Sequence, residues 1–144
     1  MRNALKYIPS VLVAALIMYL SLLREPHFTL PTIPIPHLDK WFHGLLYFIF
    51  AATLTSDHLR FRLEQQKQSN TQSAELKRYN LRITDYIVCL LIPILYGGII
   101  EILQENFFQP RTGEWFDWLA DIIGVILGFA ITIFFRNIWS RKSN

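Results

Sequence analysis

Asp39, His43 and Tyr47 follow one another at intervals of four, so on a helix they stack along one face. Asp117 and Asp121 repeat that interval and continue into Gly124 and Gly128. Glu101 and Gln104 stand about one turn apart, with Glu105 beside them, and Lys40 and Arg111 are the nearest cations in this layout. These residue types support two chemistries. Lys40, Arg111 and His43 can hold a phosphate or a carboxylate, the guanidinium by a two-pronged contact. Glu101, Asp117 and Asp121 can instead gather a divalent cation, and a phosphate bridged through a cation to the carboxylates would join the two. No tight metal signature such as H-E-x-x-H occurs, nor a P-loop or G-x-S-x-G. The expectation is therefore an anionic-ligand site of Lys40, His43, Tyr47, Glu101, Gln104, Arg111, Asp117 and Asp121, with no resident metal or cofactor.

The elements that carry these residues belong to a membrane. The chain has 144 residues, enough for one domain, with 52% hydrophobic, 15% aromatic and only 17% charged residues. A soluble chain averages about 25% charged, and apolar runs this long ask for a larger core than the length can enclose. Four spans are expected, at about 7–23, 41–55, 86–103 and 118–135, forming one all-α, four-transmembrane-helix bundle. The first run is preceded by Arg2 and Lys6 and closed by Arg24 and Glu25. It lacks a small-residue cleavage site and is read as an anchor rather than a signal peptide. Prolines 26, 31, 34 and 36 make the following segment an extended surface loop. The 56–85 segment reads as a polar linker, most mobile at QQKQSNTQS, with flanks suited to short helices on the membrane surface. Pro93 predicts a kink in the third span, and Gly124 and Gly128 form G-x-x-x-G, a face for close helix approach that also leaves room for a homodimer.

Charge sets the expected orientation. Eleven of the fourteen Lys and Arg residues fall at the N-terminus, in 56–85 and at the C-terminus; only Arg24, Lys40 and Arg111 fall on the other side. That bias predicts both termini in the cytoplasm of a multi-pass protein of the cytoplasmic membrane. The net charge of +3 then reflects topology and contact with membrane lipids, with no nucleic-acid partner implied. Every unusual polar residue named above lands at the outer side. A lone carboxylate such as Glu101, a turn inside its span, costs on the order of 3 kcal/mol by insertion scales, so it requires a partner or a proton. Trp41, Trp115, Trp118 and Trp139 are read as interface anchors, and Cys89 as a small buried hydrophobe.

Three blocks resemble the VanZ-like integral membrane proteins. The first, Asp39-Lys40-Trp41-Phe42-His43-Gly44-Leu45-Leu46-Tyr47, matches a D-K-x-x-H-x-x-x-Y start. The second, Tyr96 to Gln104, matches a G-x-x-x-E-x-x-Q helix. The third, Pro110 to Gly124, matches an arginine followed by D-x-x-A-N-x-x-G, with Asp121 where asparagine is common. The resemblance implies a four-helix protein of the bacterial envelope, in a family named for a member that contributes to resistance to the glycopeptide teicoplanin. It does not extend to the 56–85 segment.

Three functions fit these residues. One is a binding or remodelling protein for an envelope lipid or cell-wall intermediate. Another is a metal-assisted membrane enzyme acting on a lipid phosphate, with Glu101, Asp117 and Asp121 as ligands or bases. The last is a structural bundle whose ion pairs only hold helices together. The want of a nucleophile or metal motif ranks the first above the second, and whether the chain is an enzyme stays open at this level.

Overall fold

The structure is a computed structural model that describes residues 4–22, 38–69, 81–107 and 114–142. Within these the chain is helical almost throughout, with no strand. A 3-10 turn, Ala4–Tyr7, leads into helix α1 at Ile8–Leu22. Helix α2 spans Leu38–Ser69. Helix α3 runs from Ile83 to Phe107, and α4 covers Trp115–Lys142.

Among the described residues, three stretches are long and apolar enough to cross a membrane: Leu5–Leu22, Ile83–Phe107 and Trp115–Trp139. Only 17–28% of these windows is buried inside the protein. The outward sides carry Leu12, Leu95, Ile123 and Phe134, each more than half exposed. Such a continuous apolar girdle is foreign to a soluble monomer and suits lipid contact. The second helix does not reach the same measure. Its apolar stretch, 41–55, is only about 22 Å long at 1.5 Å per residue, against a hydrocarbon core of about 30 Å. Asp39 and Lys40 bound it on one side and Asp57, Arg60 and Arg62 on the other.

That shortfall is matched by where α2 sits. It packs along α4 over the longest interface in the bundle and also contacts α1. A helix with one long face on its neighbours has less need of an apolar surface than one facing lipid all round, although Phe42, Leu45 and Ile49 of α2 still point outward. The α2–α4 approach depends on the G-x-x-x-G face. A Cβ at Gly124 would collide with the backbone carbonyl of Gly44, and one at Gly128 with that of Phe48. The face that left room for a homodimer is therefore used inside the chain. The core between the helices is Ile17, Tyr47, Phe50, Ala51, Leu54, Ile100 and Val125.

Two local expectations change. Residues 56–69, read as the start of a linker, continue α2 without a break; buried Leu59 and Arg62 keep this polar extension on the bundle. Residues 70–80 lie outside the described residues, as does the proline-rich segment. The irregularity expected at Pro93 appears just before it. Residues Ile87–Leu91 form a π turn, in which the Ile92 N–H donates to Ile87 O, five residues back. Pro93 has no N–H to donate to the carbonyl four residues back, and a single wider turn is one way a helix absorbs such a defect.

Candidate functional site

Six of the expected polar residues, Lys40, His43, Tyr47, Glu101, Asp117 and Asp121, meet at one end of the bundle. Lys40, in the first turn of α2, donates to Glu114 Oε2 at 2.8 Å and to Asp117 Oδ1 at 2.9 Å. The hydrogen bond to Glu114, then that to Asp117, holds the Lys40 ammonium well above the ordinary lysine range. One turn deeper, His43 Nδ1 is 3.1 Å from Asp121 Oδ1 on α4 and 3.9 Å from Glu101 Oε1 on α3. The other Glu101 oxygen, Oε2, accepts the Glu114 backbone N–H at 3.1 Å. Another turn down, the Tyr47 ring lies under the carboxylates beside Phe50 and Tyr96.

Glycine makes this convergence physically available. A Cβ on Gly97 would come within 2.9 Å of Asp121 Oδ2 and 3.2 Å of Tyr47 Cε1, so the missing side chain is where the Asp121 carboxylate fits. Next to it, Gly98 lies under the Trp118 indole, whose Nε1–H donates to Ile94 O at 3.0 Å. Trp118 thus ties α4 to α3, whereas Trp41, Trp115 and Trp139 are largely exposed.

Three buried oxygens at this end find no hydrogen-bond partner among the described residues: Tyr47 Oη, Glu101 Oε1 and Asp121 Oδ2. Tyr47 and Asp121 are each only 1% exposed. Buried polar groups are nearly always satisfied, so three orphans in one place call for an occupant. Two overlapping groups could hold a cation: Asp39, His43 and Asp117 near the surface, and His43, Glu101 and Asp121 deeper, the candidate ligand atoms of each lying within 4.8 Å of one another.

The other expected residues divide. Gln104 is buried, but it donates to Ser21 O on α1 at 2.8 Å, which makes it a tie between helices. Arg111 lies outside the described residues. Glu114, not singled out in the sequence, holds Lys40 and Glu101 together, the first through its side chain and the second through its backbone.

The opposite end holds a second polar cluster that the sequence reading missed. Asp85, fully buried at the start of α3, accepts from His58 Nε2 at 2.9 Å, from Arg62 and from the Arg82 backbone N–H at 2.7 Å. His58 Nδ1 also meets the Tyr7 hydroxyl at 2.9 Å. Asp57, buried beside it, accepts from both the backbone N–H and the hydroxyl of Ser10 on α1. Arg62 and Arg82 looked like topology signals, and Ser10 lay in an uncharged run. The available signal was Asp57, His58 and Arg62 together on one side of a helix. Unlike Glu101 and Asp121, neither Asp57 nor Asp85 leaves a buried oxygen without a partner among the described residues, as befits a structural clasp joining α1, α2 and α3.

No family model, curated protein or solved structure matches the chain, so the functional reading rests on this geometry and on the sequence.

Proposed function

We propose that the chain is a VanZ-like multi-pass protein of the bacterial cytoplasmic membrane, with four helices crossing and both termini in the cytoplasm. Its polar cluster of Lys40, His43, Tyr47, Glu101, Asp117 and Asp121 faces outward and receives the anionic headgroup of an envelope lipid or a cell-wall intermediate. The observation that carries this reading is the convergence of three partnerless buried oxygens beneath Lys40; an anionic headgroup would meet Lys40 and the Tyr47 hydroxyl directly, and Glu101 and Asp121 only through a bridging cation or a carboxyl proton. Ionisable residues at membrane depth ordinarily serve a ligand or ion. The three sequence blocks and the eleven-to-three distribution of basic residues support the family and the orientation.

Native mass spectrometry of the full chain in mild detergent tests the reading. A phospholipid or polyprenyl phosphate is expected to remain bound to the wild type and to be lost in Lys40→Met and Arg111→Ala, with the helical fold kept. A bare protein whose spectra match those of both variants would leave the clusters as structural ion pairs. A link to teicoplanin resistance is proposed from the resemblance alone; an unchanged inhibitory concentration on expression or deletion counts against it.

The grouping of one histidine with two carboxylates gives a second reading its own support: a metal-assisted enzyme acting on a lipid phosphate. Metal-dependent release of phosphate from a polyprenyl phosphate, abolished by Asp121→Asn, would place that reading first.

A further inference from the structure

We propose that His43, Glu101 and Asp121 bind one divalent transition-metal ion, of the zinc or manganese class, at the buried end of this polar cluster. The inference deepens the ligand-site reading above. It names the cation through which a phosphate headgroup would be held, and it rests on the cluster being a ligand site.

Geometry comes first. The three residues sit on α2, α3 and α4, yet the His43 ring nitrogen and one oxygen from each carboxylate lie within 4.8 Å of one another. His43 Nδ1 stands 3.1 Å from Asp121 Oδ1 and 3.9 Å from Glu101 Oε1. Ligand atoms placed about 2.0–2.2 Å from a shared ion have separations of this order. Three protein ligands leave a coordination position open, the arrangement that catalytic and ligand-binding sites adopt.

The partnerless atoms are the independent observation. Asp121 is 1% exposed and its Oδ2 has no hydrogen-bond partner among the described residues; Glu101 Oε1 and Tyr47 Oη share that condition. These are the oxygens a bound ion, or a ligand on that ion, would engage. Charge balance agrees. A dication against two carboxylates and a neutral imidazole leaves the group neutral, which is the state a low-dielectric site favours. Lys40 cannot supply this charge, because its ammonium is engaged by Glu114 and Asp117 nearer the surface.

Donor chemistry narrows the ion. One imidazole nitrogen with two carboxylates suits zinc, manganese or iron better than magnesium or calcium, which seek six or more oxygens or retain their water. The shallower group of Asp39, His43 and Asp117 is the weaker candidate, since Lys40 occupies Asp117 and Asp39 is exposed. The His43 and Glu101 side chains each keep 11% exposure, which leaves the ion a way in from the surface.

The full chain, purified in detergent and stripped with a chelator, is titrated with Co²⁺ and Zn²⁺ and read by visible absorption, elemental analysis and calorimetry. One ion per chain is expected, with an imidazole hyperfine coupling in the Co²⁺ or Mn²⁺ form. Binding should strengthen as pH rises through the imidazole range, because the ring must shed its proton to ligate. The isosteric Glu101→Gln and Asp121→Asn should each weaken binding by about 100-fold or more, while Glu105→Gln, on an exposed face of the same helix, should bind normally. Circular dichroism confirms that each variant is folded. If either substitution prevents folding, the imidazole coupling and the one-to-one stoichiometry of the wild type decide the matter alone. A folded wild type that takes up no ion overturns the site and points to a carboxyl proton at the buried end instead. So does binding that survives both substitutions. Lipid retention is measured separately, so a lipid-bound, metal-free protein would defeat this site and spare the headgroup reading. A metal-bound, lipid-free protein would do the reverse.

Discussion

Tyr47 places a hydroxyl among Phe50, Tyr96 and the Asp121 carboxylate, and that hydroxyl has no hydrogen-bond partner among the described residues. A buried polar group left unsatisfied costs about 1–3 kcal/mol. Tyr47→Phe removes the cost while keeping the ring and its packing. The ligand-free protein should therefore become more stable by about 1 kcal/mol, measured by denaturant unfolding in detergent, and should lose affinity for whatever binds there. A destabilised Tyr47→Phe protein would mean that the hydroxyl already has a partner. Gly97→Ala tests the same buried end from the other side. Its methyl would stand 2.9 Å from Asp121 Oδ2, so it should displace the carboxylate and weaken ion binding more than it harms the fold.

Helix contacts make different demands. At Gly124 an added methyl meets backbone, the carbonyl of Gly44, which cannot swing aside. Gly124→Ala should cost about 1–3 kcal/mol as overpacking between α2 and α4. At Gly98 the nearest atoms are the Trp118 ring at 3.4 Å, an ordinary contact. Alanine there should be neutral, or stabilising by about 1 kcal/mol through helix propensity. Equal costs at the two positions would contradict the close α2–α4 crossing. At the far end, Asp85 holds His58, Arg62 and the first turn of α3 together while fully buried. Asp85→Ala removes the buried carboxylate shared by Arg62, His58 and the Arg82 backbone N–H and should cost about 3–5 kcal/mol. Loss of the exposed Lys6–Glu64 pair should cost less than about 1 kcal/mol. Denaturant midpoints of the two variants provide the comparison.

Over the whole molecule, the two polar ends face opposite ways along the bundle, and the proposed four-span arrangement assigns them to opposite sides of the membrane. Cys89 is fully buried, so replacing it by alanine gives a background for single-cysteine labelling. Exposed Glu105, on the Lys40 side, and exposed Gln65, on the Asp85 side, are suitable positions. A membrane-impermeant maleimide on intact cells should label Glu105→Cys and leave Gln65→Cys untouched until the membrane is opened. Labelling of both from outside would show that α3 does not cross. Inverted labelling would mean that α2 does not cross or that the whole bundle is reversed.

The helical, membrane-spanning character and the polar set at one end were legible in one dimension because both follow local rules. Apolar runs of α1, α3 and α4 answer to membrane thickness, while Asp39, His43 and Tyr47, like Asp117 and Asp121, answer to the period of a helix. The same periodicity exposed the glycine face at 124 and 128, although not whether it would meet α2 or a second copy. The continuation of α2 through 56–69 was hidden, because its polar composition resembles a linker when the bundle around Leu59 and Arg62 is unknown. Which carboxylates receive a cation was equally hidden. Lys40 satisfies Glu114 and Asp117, residues 74 and 77 positions away, while Asp85 collects His58 and Arg62 from another helix. Such pairings depend on separations between helices that no local pattern encodes. Only the assembled bundle shows that one polar end is satisfied and the other retains open oxygens.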